Sequence, residues 1–121
     1  MKEPDYSNGK ICYIEIPSTN INESSEFYNK VFGWNIRTRG DGNIAFDDTT
    51  GQVSGTWILG RKPLDDSGLM MYIMVDSIAA ASELIKSNNG KILITHDISV
   101  KEKIAKFTDP SGNVFGLYQN P

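Results

Sequence analysis

The chain has 121 residues, a formal net charge of −3, 39% hydrophobic and 22% charged residues, and one cysteine. That length suits a single domain with a modest core, and the composition is that of an ordinary soluble globular protein. The slight acidity argues against nucleic acid; no apolar run approaches the ~18 residues of a membrane span and no signal peptide follows Met1, so a cytoplasmic location is expected.

In chain order, Lys10 to Pro17 alternates, with Cys12, Ile14 and Ile16 on one face and Tyr13 and Glu15 on the other, and Pro17 is expected to stop the ladder. Asn20, with Glu23 three residues on, starts a helix whose apolar stripe is Phe27, Tyr28, Val31 and Phe32, and Gly33 ends it. Three short strands follow, at Trp34 to Arg39, Asn43 to Asp47 and Gln52 to Leu59, separated by glycine-containing turns. Gly60 to Gly68 reads as a linker. The order then starts again. Leu69 to Val75 is a strand, Asp76 caps a helix that Gly90 closes, and strands follow at Lys91 to Ile94, Lys103 to Thr108 and Asn113 to Tyr118. The last two are joined by Asp109-Pro-Ser-Gly-Asn113, dense in turn-forming residues. The chain is therefore read as one α+β domain spanning 1–121, made of two copies of strand–helix–three strands: module one at about 10–60 and module two at about 69–119. Each copy leaves one sheet face uncovered, and two copies side by side would curve those faces around a groove suited to a small molecule.

The sequence resembles the vicinal oxygen chelate superfamily, which includes glyoxalase I, bleomycin-resistance proteins and extradiol dioxygenases. The motifs are Tyr13-Ile-Glu-Ile-Pro17, then Glu26-Phe-Tyr-Asn-Lys-Val-Phe-Gly-Trp34, then Tyr72-Ile-Met-Val-Asp76, and finally Phe107-Thr-Asp-Pro-Ser-Gly-Asn-Val-Phe-Gly-Leu-Tyr118. Within it the chain looks most like the small glyoxalase-related members. The resemblance implies tandem βαβββ modules forming a curved mixed sheet around a groove, commonly completed by a homodimer. It also implies, in the metalloenzyme members, a divalent cation held by His, Glu or Gln from the first and fourth strand of each module. Matched to this sequence, those positions hold Tyr13, Met70 and Gly116, with the remaining one inside Val53 to Ile58, where no His, Glu or Asp stands. Phenol, thioether and hydrogen are poor replacements for imidazole or carboxylate, so no metal cofactor is expected.

The same parity would put Tyr13, Glu15, Met70, Tyr72 and Tyr118 in the groove, a mixture of aromatics, thioethers and one carboxylate that suits either a ligand pocket or a packed seam. Glu15 is the candidate general base, against the alternative of a hydrogen-bonded or rim carboxylate. Trp57 could stack on a flat ligand or pack in the core. His96 reads as a solvated residue and Cys12 as core. Two functions are carried forward. One is a metal-independent binder of a small hydrophobic or aromatic ligand; the other is a glyoxalase-type lyase or isomerase using a relocated metal or Glu15.

Overall fold

The computed structural model describes residues 3–98 and 102–119. The first half contains β1 (Tyr13–Ser18), α1 (Ile21–Phe32), β2 (Asn35–Thr38), β3 (Ile44–Asp47) and β4 (Ser54–Leu59). The second contains β5 (Tyr72–Val75), α2 (Ile78–Ser87), β6 (Lys91–Asp97), β7 (Lys103–Thr108) and β8 (Val114–Gln119). The strands form two four-stranded mixed sheets with the same internal order, β1-β4-β3-β2 and β5-β8-β7-β6. In each, the first strand pairs in parallel with the last and the remaining pairs are antiparallel. The α+β architecture and the repeated order are those expected.

Local chemistry accounts for the helices. Asn20 accepts the Glu23 amide at 3.0 Å to cap α1, and Gly33 ends it in the left-handed region at φ 74°. The second helix departs from expectation at both ends. Ser77, not Asp76, is the cap, accepting the Ala80 amide, and Asn89, not Gly90, takes the positive φ of 71°. Gly90 has a different reason to lack a side chain. A Cβ there would lie 2.6 Å from Ile85 Cγ2, 2.7 Å from the Thr108 carbonyl oxygen and 3.0 Å from Phe27 Cε1.

Three further expectations are corrected. Pro17 does not end the first ladder, because β1 lies at a sheet edge and its unpaired side needs no amide donor there. Cys12 is exposed rather than core, since β1 starts only at Tyr13 and the residues before it escape the cover of the helices. Strand β5 begins at Tyr72, so Met70 precedes it, and β6 runs on to Asp97.

The core is one aromatic-rich cluster that both sheets and both helices share. Phe27 of α1 stacks on Phe107 of β7, and Tyr28 meets Phe115 of β8 edge-on while lying parallel to Trp34 at 4.7 Å. Such pairs contribute about 0.5–1.5 kcal/mol each beyond the area they bury. Helix α1 thus belongs to both modules, and the two halves cannot separate without exposing it.

Gly90→Ala should destabilise the fold by about 1–3 kcal/mol, because Ile85 and a backbone carbonyl cannot yield easily. Gly68→Ala, where nothing lies within 4 Å of the new Cβ, should change stability by no more than ~0.5 kcal/mol. Urea unfolding of the two variants distinguishes packing at Gly90 from a generic glycine effect.

Candidate functional site

The turn between β7 and β8 is a clasp. The carboxylate of Asp109, buried, accepts from the Ser111 and Asn113 amides at 2.9 and 3.0 Å, from Asn113 Nδ2 at 2.9 Å and from the Tyr28 hydroxyl of α1 at 2.8 Å. Asn113 carries the contact onward: Nδ2 donates to the Pro17 carbonyl of β1 at 2.6 Å, and Oδ1 accepts from the Leu64 amide of the linker at 2.9 Å. Ser111 Oγ accepts from the Thr19 amide at 3.0 Å. Burial pushes the Asp109 carboxyl above its ordinary range, with the bonds from Asn113, Tyr28 and the turn amides opposing it. Burial first, and then the Asp109 charge, raise the Tyr28 phenol well above its usual value, so it stays a donor. The turn is structural and holds no reacting group toward solvent.

The residues singled out from the sequence fall in two places. Tyr13 and Glu15 share the outer face of β1, exposed, where Tyr13 accepts from Arg39 Nη1 at 3.0 Å and Glu15 pairs with Arg61 at 2.8 Å. Both partners of the Glu15–Arg61 pair keep substantial exposure, 44% and 50% for their side chains, so Glu15 is a screened surface carboxylate rather than a desolvated base. On the second sheet, Tyr72 lies opposite Gly116 and Met74 opposite Tyr118, all on the outer face. Tyr118 donates to Glu102, and that bond raises the phenol. Trp57 goes the other way. Its register opposite Ile16 turns it inward, 2% exposed, against Phe46 at 4.9 Å and Tyr28 at 5.9 Å, so of the two readings carried for it, stacking on a ligand and core packing, its surroundings are those of core. Its indole Nε1 has no hydrogen-bond partner among the described residues; aromatic packing outweighs that cost here. His96 is an exposed residue near the end of β6.

A cleft of about 360 Å³ opens elsewhere, on the core side, bordered by the edge strands β1 and β5 and by the β3–β4 turn. Ile14 and Ile16 of β1, Trp34, Phe46, Met71 and Phe115 make its apolar walls, and Tyr72, Ile73 and Met74 form the β5 border. The polar groups are those of Asp48, Thr49 and Thr50 in the turn. This is the scale and character of a small-ligand site. Of the residues proposed from the sequence, only Tyr72 takes part. Ile14, Ile16, Met71, Ile73 and Phe115 belong to the apolar faces expected to cover the helices, and their part in the cleft depends on a gap between two sheets that no local pattern reports.

Compared with known proteins, residues 10–117 match the model of the Glyoxalase/Bleomycin resistance protein/Dioxygenase superfamily. The chain belongs to that superfamily. It is similar to a glyoxylase-like domain-containing protein of Didymella fabae, 29% identical across 94% of this chain and 96% of that one. It spans about half, 48%, of the mycobacterial relatives it also matches. Its fold is shared with a superfamily member from Sphaerobacter thermophilus (TM-score 0.74, 16% identity, 93% of this chain and 98% of that one). It is shared too with the genomically encoded fosfomycin resistance protein FosX of Listeria monocytogenes (TM-score 0.73, 14% identity, 95% and 94%).

At the positions where superfamily metalloenzymes place ligands, the register is now fixed. Tyr13 lies opposite Ser54, and Glu15 opposite the buried Thr56; the Ser54 hydroxyl donates to Asp47 Oδ1 and the Thr56 hydroxyl to the Ile44 carbonyl, each at 2.6 Å. In the second sheet the ring of Tyr72 covers Gly116: a Cβ at 116 would come within 2.4 Å of Tyr72 Cδ2 and 2.5 Å of Cε2. The glycine makes room for that ring. Among the described residues no three His, Cys, Asp or Glu side chains group to hold a metal ion.

Two outcomes test these placements. Tyr28→Phe should cost about 1–3 kcal/mol near neutral pH, by leaving Asp109 short of a donor. Because the folded carboxyl is already raised, ionising it costs stability as pH climbs through its folded value, and below the unfolded value of 3.8 that cost vanishes. The penalty of Tyr28→Phe should therefore shrink toward acid pH, measured by urea unfolding across the range. Gly116→Ala should destabilise by roughly 1 kcal/mol, and less when Tyr72→Ala is present, which a double-mutant cycle reads directly.

Proposed function

We propose that this superfamily member binds a small hydrophobic or aromatic ligand without a metal, in the core-side cleft bordered by β1 and β5 rather than on the outer sheet face. The observation that carries the reading is the cleft itself, with aliphatic and aromatic walls from four strands and a short polar border. The donor set supports the metal-free part. Phenol at 13, thioether at 70 and hydrogen at 116 do not suit a divalent cation, and the Tyr72 ring occupies the space a longer residue at 116 would need. Glu15, exposed and paired with Arg61, gives little support to a general-base reading. Resistance to fosfomycin is a property named for the Listeria protein; for this chain the proposal is limited to capture of a small apolar molecule.

Trp34 lines the cleft and Trp57 does not, so tryptophan fluorescence reports on occupancy. A neutral aromatic probe such as phenylbutanol should bind with millimolar or tighter affinity and perturb the emission. Val53→Phe, which fills the border of the cleft at a partly exposed position, should weaken that binding at least about tenfold with little change in unfolding midpoint. Unaltered affinity in that variant would place the probe elsewhere.

A further inference from the structure

The β3–β4 and β7–β8 turns stand at equivalent places in the two modules and share an aspartate followed three residues on by a positive-φ glycine, although the amides each aspartate holds differ. In the second module Asp109 accepts the amides of Ser111 and Asn113, and the Gly112 amide returns to the Asp109 carbonyl. In the first module Asp48 Oδ1 accepts the amides of Gln52 and Val53, and the Gly51 amide returns to the Asp48 carbonyl. Gly51 and Gly112 both take positive φ, 76° and 89°. The surroundings differ. Asp109 is clasped by Tyr28, whereas the matching place on α2, counted from the helix start, holds Ile85, which has no hydroxyl to donate.

Asp48 is half-buried at the cleft. Among the described residues its Oδ2 accepts only from the Thr50 hydroxyl, at 3.0 Å, and no ion pair involves it. Among the described residues no lysine or arginine lines the cleft. We infer that the cleft selects organic cations, molecules with an apolar or aromatic body and a protonated amine that pairs with Asp48. This rests on the reading that the cleft binds small apolar molecules, and adds the charge of the ligand to it. An ammonium group there gains a charge-assisted bond to Oδ2 and the attraction of the aromatic walls of Trp34 and Phe46. A carboxylate or phosphate would meet an unpaired negative charge instead.

The test compares phenylbutylamine with phenylbutanol, followed by Trp34 emission and by calorimetry. At low ionic strength the amine should bind at least about fivefold more tightly than the alcohol. Added salt should narrow that preference while leaving the alcohol unaffected. Asp48→Asn, which keeps an oxygen to accept the turn amides, should abolish the preference. Asp65→Asn, the same charge change in the exposed linker, should leave it intact and so rules out a general effect of the acidic surface. Equal affinity of amine and alcohol for the native protein overturns the selection for cations and leaves apolar binding standing. Binding of neither probe overturns both. Should Asp48→Asn fail to fold, salt decides on the native protein: a preference indifferent to ionic strength overturns the role of Asp48.

Discussion

Burial of one carboxylate organises this molecule. Asp109 sits almost out of contact with water, and an ion in that position is tolerated only because four donors surround it. One of those donors, Tyr28, comes from the first module's helix, and another, the Asn113 amide group, also reaches the first module's edge strand. A requirement of local solvation is thereby turned into a bond between modules. The aromatic cluster around Tyr28 then has a fixed geometry to pack against, with Phe107 and Phe115 on one side and Trp34 and Trp57 on the other. Raised by burial and held down by its donors, the Asp109 carboxyl records both halves of this bargain.

The repeat makes the asymmetry of the molecule legible. Two related turns occupy equivalent places, yet a tyrosine donates to the aspartate of only one of them among the described residues. Where the clasp forms, the modules close on each other; the β3–β4 turn instead borders a cleft, with Thr50 as the side chain that donates to Asp48. The polar groups at the cleft exist for a backbone reason, since Asp48 must satisfy the Gln52 and Val53 amides whatever else it does. Ligand recognition, in this reading, uses what turn formation left over.

Most of the fold was legible because its signals are local or periodic. Alternation in β1 and β5, the cap at Asn20, the αL glycine at 33 and the spacing between the copies are read from short windows, and each matches an observed element. The misplacements share a cause. Cys12 is read from alternation and Pro17 from proline's missing amide, but their exposure and tolerance depend on where β1 starts and on its being an edge strand. Gly90 looked like a helix stop and is a point of close approach between Phe27, Ile85 and Thr108. Trp57 needed a register that only the pairing of β1 with β4 supplies. The cleft was illegible for the same reason, because Ile14, Phe46, Met71 and Phe115 carry the pattern of core residues and differ from core only in facing a gap.

Gly116 shows why a missing ligand should be read together with its neighbour. Taken alone, glycine at a superfamily metal position signals simple loss. In the fold the ring of Tyr72 lies across it, so the two residues form one arrangement: the absence of a side chain at 116 is what permits an aromatic at 72 to fold down, and Tyr72 in turn borders the cleft. Restoring a carboxylate or imidazole at 116 would first have to lift that ring, altering the cleft border on the other side of the strand. The outer face and the core-side cleft are therefore coupled through one tyrosine, and any side chain added at 116 would reshape the site proposed here.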